Sequence, residues 1–306
     1  MTFAAQPYSG IATFGRCPHT RDLSQADVAI VGVPYDGATS YRSGARLGPR
    51  AIREQSLLLW GYNNVLQVAP FEKLRVVDYG DVEVVPVDVR ATHEAIEREL
   101  TTILATGCRT VTLGGDHSIA LPALRAHASK YGPPALVHFD AHPDTWDREF
   151  GDQPYSHGTP FRRAIEEGLL DVDAYVQIGI RGPTAGPQDY MDACNLGARM
   201  ITFEEAVERG LPGVLDEVRQ RVGTRPLYVT FDIDAIDPAY APGTGTPEVG
   251  GFTSHQALQL LRGLRGLNLI GFDLVEVAPA YDPSGITAIL AANLVFEVLS
   301  LWALRA

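Results

Sequence analysis

Four short apolar runs in this 306-residue chain each lead into groups that can bind cations or move protons. Residues 110–113 run into Gly114-Gly115-Asp116-His117-Ser118, and residues 135–139 into Asp140-Ala141-His142-Pro143-Asp144. Residues 227–231 run into Asp232-Ile233-Asp234, and residues 269–274 continue to Glu276. Strand side chains alternate with period two, so Asp140 and His142 share a side, as do Asp232 and Asp234. Asp144 continues the row if the chain stays extended, although Pro143 marks a departure from the strand. Asp140, Asp144, Asp232 and Asp234 carry four negative charges between them. Buried side by side, they cannot all stay ionised without counter-charge. Two divalent cations would supply it. Oxygen-rich ligation with two imidazoles and no thiolate favours Mn²⁺ and leaves Ni²⁺, Fe²⁺ and Zn²⁺ open. Two metals about 3.5–4 Å apart can share a solvent ligand and lower its pKa, which yields a nucleophile at neutral pH.

Each motif alone has a plainer reading. A single DxD or DxHxD is also turn or capping chemistry. Asp116 can cap a helix beginning near Ser118, and Gly114 and Gly115 can serve a turn. The combination across four separate strand ends is what points to a site. His138 has the parity of Asp140 and His142 but lies deeper in its run, which reads as a satisfied core histidine. His19, His93, His127 and His255 have no motif around them and read as surface or packing residues.

The elements that must position these groups alternate along the chain. Expected strands are 27–33, 74–79, 110–113, 135–139, 174–180, 227–231 and 269–274, rich in Val, Ile and aromatic residues, as strands buried on both faces are. Expected helices are 49–59, 89–106, 119–131, 159–168, 211–222, 254–264 and 284–303. This alternation predicts an α/β fold with a mostly parallel sheet and helices on both sides. Ligands of such sheets bind beyond the carboxyl ends of the strands.

Composition narrows the partners. With 25 Lys and Arg against 37 Asp and Glu the formal charge is −12, which disfavours nucleic acid and suits a small cationic ligand. Cys17, Cys108 and Cys194 are few and far apart, which argues against a disulfide framework or a thiolate zinc site and makes the cytoplasm the simplest compartment. Residues 1–15 lack a basic region followed by an apolar run, so no signal peptide is expected. The apolar stretch 286–304 holds Asn293 and Glu297 and is expected to be a buried final helix rather than a membrane span.

At its motif residues the chain resembles the ureohydrolase family of arginases, agmatinases and related guanidino-compound hydrolases. Gly114-Gly115-Asp116-His117-Ser118 and Phe139-Asp140-Ala141-His142-Pro143-Asp144 carry the likeness. So does Thr230-Phe231-Asp232-Ile233-Asp234, continuing through Asp237-Pro238 and Pro242-Gly243 to Gly250-Gly251. It extends from about Gly32-Val33-Pro34-Tyr35-Asp36 to the final helix. The resemblance implies one three-layer αβα domain over 1–306, of the arginase/deacetylase type, with 1–25 as an N-terminal extension packed on it. It also implies two Mn²⁺ per subunit and a homo-oligomer, a trimer or hexamer. The implied ligands are His117 and Asp144 on one metal, His142 and Asp234 on the other, with Asp140 and Asp232 bridging. His157 matches the position proposed to shuttle protons; the plainer reading is a loop histidine ordering the next helix. Glu276 matches the guanidinium-binding glutamate; it could instead pair with a structural arginine.

The implied reaction is hydrolysis of a guanidinium to urea and an amine. Asp144 would orient the nucleophile's proton, and His157 would help protonate the leaving amine. Within the family, Thr145-Trp146-Asp147-Arg148-Glu149-Phe150 departs from the Asn-Thr-Pro-type segment of arginases. Tyr155-Ser156-His157-Gly158-Thr159-Pro160-Phe161-Arg162-Arg163, Gln177-Ile178-Gly179-Ile180-Arg181 and 241–247 resemble the agmatinase branch. That branch also includes guanidinobutyrase, guanidinopropionase and proclavaminate amidinohydrolase. Agmatine's second cation could meet Asp147, Glu149 or Asp152, whereas a guanidino acid would need a clamp such as Arg148 or Arg181. Net charge leans toward agmatine, cleaved to putrescine and urea. A metal-dependent amine deacetylase and a catalytically silent metal-binding homologue are the readings from other classes. Segment 37–48 lines an entrance or simply turns the chain, and no single residue there stands out.

Overall fold

The computed structural model describes residues 6–306. Eight strands form one all-parallel sheet in the order β2-β1-β3-β8-β7-β4-β5-β6. They are β1 (Val28–Val33), β2 (Val76–Asp81), β3 (Arg109–Gly114), β4 (Ala135–Phe139), β5 (Tyr175–Ile180), β6 (Arg199–Thr202), β7 (Pro226–Asp232) and β8 (Asn268–Val275). Among the described residues the helices are α1 (Gly48–Ser56), α2 (Pro70–Lys73), α3 (Val89–Ala105), α4 (Ala120–Tyr131), α5 (Pro160–Glu166), α6 (Gln188–Asn195), α7 (Phe203–Val222), α8 (Ser254–Gly263) and α9 (Ile286–Ala303).

Period-two alternation sorts the strand residues into two cores. In β1, Val28 and Ile30 join one cluster with Ile52 of α1, Val214 of α7, Leu260 of α8 and Leu294 of α9. Ala29, Val31 and Val33 join the opposite cluster with Ile96 of α3 and Leu121 of α4. Both faces are thereby covered, which is why the strands are apolar throughout rather than alternating. Helix ends are set by local chemistry. The Asp88 carboxylate accepts the N–H groups of Arg90 and Ala91 to start α3, and Thr253 and Gln256 form a reciprocal capping box at α8.

The seven expected strands are present, with ends shifted by a residue or two. The eighth, β6, is a four-residue edge strand, too short for its alternation to be read. Helix α7 begins eight residues before the expected 211–222. Its first half is hidden in the sequence by Gly210, whose φ of 69° interrupts the helix, and by Pro212. Polar α6 buries only Ala193 and left no periodic signal. Of the expected extension 1–25, Phe14 is buried and its N–H donates to Asp78 Oδ2 at 2.8 Å; residues 1–5 lie outside the described residues. Helix α9 is long and apolar enough to span a membrane, but 83% of it is buried inside the protein.

The order of strands has a direct consequence for the site. β3, β8, β7 and β4 are neighbours in the middle of the sheet, so His117, Glu276, Asp232 and Asp140 emerge side by side at their carboxyl ends.

Candidate metal centre and active site

Local backbone chemistry aims each group. After β3, the Asp116 carboxylate accepts the Ser118 N–H at 3.0 Å and, from the other oxygen, the Ala38 N–H at 2.9 Å. The capping role expected of Asp116 is therefore present, and it turns His117 inward. After β4 the chain leaves the strand, and Asp144 adopts φ 47°, a left-handed conformation that is strained for a non-glycine residue. Glu276 has φ 63° directly after β8. Asp232 and Asp234 reach the same site, but not by strand alternation. Asp232 ends β7 and its Oδ1 accepts the Asp234 N–H at 2.8 Å, curling 233–235 into a tight turn.

Two groups of potential ligands result. His117 Nδ1 lies 3.1 Å from Asp140 Oδ2, 2.9 Å from Asp144 Oδ2 and 3.3 Å from Asp232 Oδ2. His142 Nδ1 lies 3.0 Å from Asp234 Oδ2 and 3.6 Å from Asp140 Oδ1. Asp140 is common to both groups, one oxygen turned to each. All six residues are buried except His142, which is partly exposed.

The hydrogen-bond network tests whether cations fit here. Thr230 donates its hydroxyl proton to Asp273 Oδ1 at 2.5 Å, so its oxygen accepts from His117 Nε2 at 2.8 Å. Tyr228 donates to the other Asp273 oxygen at 2.8 Å. This chain assigns the proton of neutral His117 to Nε2 and leaves a bare lone pair on Nδ1. Nδ1 is buried with no hydrogen-bond partner, although three carboxylate oxygens surround it. A lone pair facing three anions is repulsive unless a proton or a metal cation sits between them. Against the cost of burial, the three carboxylates raise the His117 pKa well above its ordinary value, and the same field attracts a divalent cation. The donor set fits divalent metal.

Electrostatics agree. Burial and the neighbouring Asp140 push the Asp144 carboxyl up to about 7. Burial, Asp234 and Asp140 hold Asp232 well above the usual carboxylate range, and burial and Asp140 raise Asp234. Burial opposes ionisation of Asp140 too, but the adjacent imidazoles, His138 foremost, overcome it and hold this carboxyl well below its ordinary value. His138 is buried, as expected of a core residue, yet it is more than packing. Its Nε2 lies 2.7 Å from Asp140 Oδ2 and its Nδ1 3.1 Å from the Tyr175 hydroxyl.

Beside this centre lies a second unit. Glu276 Oε1 accepts the His117 backbone N–H at 3.0 Å and pairs with His157 Nδ1 at 3.0 Å. Burial alone would lower the His157 pKa; Glu276 overrides it and raises it to about 9. His157 Nε2 lies 3.2 Å from Ser40 Oγ. The loop carrying Ser40 is fixed by Asp36, whose Oδ2 accepts the Gly44 N–H at 2.7 Å, and by the His157 N–H donating to the Ala38 carbonyl at 3.1 Å. Glu276 pairs with a histidine, then, and not with a structural arginine.

Above these groups a cavity of about 110 Å³ is lined by Ser40, His142, Asp144, Trp146, Glu149, His157, Gly158, Asp232 and Thr246. Glu276 sits behind His157 rather than on this wall, 1% exposed. Its Oε2 accepts no hydrogen bond among the described residues. Gly245 stands alongside it, where an added Cβ would lie 3.8 Å from that oxygen. Neither expected cationic clamp reaches the cavity. Arg181 spends its guanidinium on backbone carbonyls of Asp234, Glu248 and Val249, at 2.8, 2.7 and 3.1 Å. Arg148 is exposed and pairs with Asp152 at 3.3 Å. Asp147 is taken by Arg163 at 2.6 Å. Ser40, Thr230, Asp273, Trp146 and Gly158 escaped the sequence reading. Thr230 and Asp273 lie within strands, and only the parity of Thr230 with Asp232 marks it.

Residues 26–300 match the Arginase family model. The chain belongs to the arginase family. Guanidinopropionase of Pseudomonas aeruginosa is 50% identical over 296 residues, covering 97% of this chain and 93% of the relative. A mitochondrial agmatinase of Gallus gallus is 50% identical over 297 residues, covering 97% and 87%. The solved structure of proclavaminate amidinohydrolase from Streptomyces clavuligerus superposes with a TM-score of 0.93 at 44% identity, covering 98% of this chain and 99% of that one. Arginase-family members are binuclear metal enzymes, and the His/Asp cluster described above offers donors for such a centre. The chain is thus a hydrolase of guanidino compounds.

Proposed function

We propose that this arginase-family member cleaves agmatine to putrescine and urea with the aid of two Mn²⁺ ions. The observation that carries the choice of substrate is the cavity wall. Asp144 and Asp232 on that wall are assigned to the cations, which leaves Glu149 as its one uncommitted charge, with no Lys or Arg side chain on it among the described residues. A guanidinium with a second ammonium is the ligand such a wall attracts.

His117 and Asp144 would hold one cation, His142 and Asp234 the other, with Asp140 and Asp232 shared. When bound, the cations supply positive charge that lowers the pKa of a shared water and steadies negative charge developing on the substrate. The remaining work falls to the chain's own side chains. Glu276 is buried off the cavity wall, so the guanidinium must reach past His157; there its Oε2, free of protein partners, accepts an N–H of the planar group and fixes its orientation. Asp144 accepts the proton of the attacking water. Addition at the guanidino carbon is followed by rupture of its bond to the alkyl nitrogen. That nitrogen must leave as an amine, and protonated His157 donates the proton it needs. The proton taken by Asp144 and the one left on the urea oxygen pass to solvent, and the exposed Ser40 hydroxyl, 3.2 Å from His157 Nε2, relays one from solvent back to His157.

A guanidino acid is the second reading, favoured by the likeness to guanidinopropionase. It requires a cation for the substrate carboxylate, and Arg148 and Arg181 are engaged elsewhere. Urea release from agmatine, arginine, 4-guanidinobutyrate and 3-guanidinopropionate by Mn²⁺-loaded protein is the test. Preference for agmatine supports the proposal; preference for either acid rejects its choice of substrate but keeps the chemistry. No urea from any compound, with two metals bound, rejects both. Loading with Ni²⁺, Fe²⁺ or Zn²⁺ in the same assay tests the choice of metal.

A further inference from the structure

One carboxylate at the site has no part in the chemistry above. Glu149 lies in the loop after Asp144, lines the cavity, and is half-buried. Its backbone is clamped. The N–H of Glu149 donates to Gln153 O at 3.0 Å and the Gln153 N–H returns the bond at 2.7 Å. Between them the chain reverses through three consecutive positive φ values, 45° at Phe150, 72° at Gly151 and 76° at Asp152. Its side chain is held as well, since the Ser156 hydroxyl donates to Glu149 Oε2. The other oxygen, Oε1, accepts no hydrogen bond among the described residues.

Gly158 shows that this placement is built. A Cβ there would lie 2.5 Å from Glu149 Oε2 and 2.9 Å from the Trp146 ring. A side chain there would displace the carboxylate and press on the indole, so glycine lets both lie over the residue following His157. The loop's other charged side chains are engaged outside the cavity, Asp147 with Arg163 and Arg148 with Asp152. Glu149 is therefore the loop's one fixed charge on the cavity wall.

We propose that Glu149 reads the far end of the substrate: its free oxygen accepts the distal ammonium of a diamine-derived guanidine and repels a carboxylate in the same place. The inference rests on the agmatine reading and assigns its specificity to one side chain. Trp146, on the same wall, supplies an apolar surface for the intervening methylenes. Selection thus combines attraction for one tail with repulsion of the other.

The test compares agmatine, n-butylguanidine and 4-guanidinobutyrate, whose tails are cationic, neutral and anionic. In Glu149→Gln, the ratio of kcat/KM for agmatine to that for n-butylguanidine should fall about 10- to 100-fold, the loss of a charge-assisted hydrogen bond. The change should lie mainly in KM. The ratio for 4-guanidinobutyrate to n-butylguanidine should rise. Ser156→Ala, which keeps the charge but frees the carboxylate, should shift the first ratio in the same direction by less. Inhibition by putrescine relative to n-butylamine reports the same contact without turnover and should weaken in Glu149→Gln. If the wild-type protein prefers agmatine yet both the substrate and the inhibitor ratios are unmoved in Glu149→Gln, Glu149 is not the reader and the substrate reading stands. If the wild-type protein prefers 4-guanidinobutyrate, the substrate reading fails first and this inference with it.

Discussion

The His157 ring and the Glu276 carboxylate meet across 119 residues of sequence, Nδ1 to Oε1 at 3.0 Å. The same oxygen receives the backbone N–H of His117, so one atom ties the imidazole proposed to donate a proton to the turn that carries a potential metal ligand. Glu276→Gln keeps the shape and removes the charge. Breaking such a buried charge-assisted contact costs about 2–5 kcal/mol, so kcat/KM should fall by at least roughly 30-fold. Steady-state urea release measures it. A variant within threefold of wild type would remove Glu276 from the reaction.

The pair also gives stability a pH dependence in chelator-treated protein. His157 is raised from 6.5 to about 9 in the fold, by Glu276 against the cost of burial. A raised histidine favours folding fully below its unfolded pKa, and that contribution is lost as pH climbs from about 6.5 through 9. Urea midpoints should decline over this interval in wild type and decline less in Glu276→Gln, where an NMR titration should also place His157 lower.

The proposed metal binding should depend on Asp140 and on Thr230, which touches a candidate ligand rather than the metal. Asp140→Ala should abolish the second equivalent of Mn²⁺ in a calorimetric titration, because Asp140 belongs to both ligand groups. Thr230→Val should weaken Mn²⁺ affinity about 10- to 100-fold by freeing the ring that Thr230 and Asp273 orient. Unchanged affinity in both would dismiss the assignment of this cluster.

Acid should also destabilise the protein through two buried histidines outside the metal-ligand set. Burial pushes His93 down to about 3 and His127 to about 4. Each stays neutral in the fold and protonates when unfolded, so stability is complete above about pH 6.5 and falls as pH drops toward those values. Each contributes about 1.4 kcal/mol per pH unit. His127→Gln should flatten the acid limb of a denaturation series run from pH 7 to 4.5.

Gly115 has no room for a methyl group: its Cβ would lie 2.1 Å from the Tyr35 carbonyl oxygen and 2.7 Å from that of Val33. Backbone on both sides cannot step aside cheaply. Gly115→Ala should lose about 1–3 kcal/mol in urea denaturation, and activity should fall with it, since the Gly115 carbonyl accepts the Glu276 N–H at 2.8 Å.

The central strands were legible because apolar runs such as Val28–Val33, buried on both faces, have few other uses. Short edge strand β6 and polar α6 carried no such pattern. The residues brought together at the site were legible where a charged group follows an apolar run. Asp140, Asp232 and Glu276 are of that kind. Ser40 and Trp146 were not, because loops have no period, and their place is set by distant contacts such as Ala38 with Asp116. Arg181 stayed open as a clamp for a guanidino acid because a guanidinium satisfied by carbonyls and one that meets a substrate look alike in sequence.

Strand β8 arrives late in the chain and inserts between β3 and β7. Until it does, the sheet is two separate pieces, β2-β1-β3 and β7-β4-β5-β6, each with an open edge. Pairings of this sequence separation close slowly. Glu276 follows β8 directly, so the residue assigned to grip the guanidinium arrives with the strand that unites the two pieces. The complete site therefore requires that seam: a sheet open at β8 would keep the candidate metal-ligating carboxylates of β4 and β7 but lack the residue proposed to hold the substrate.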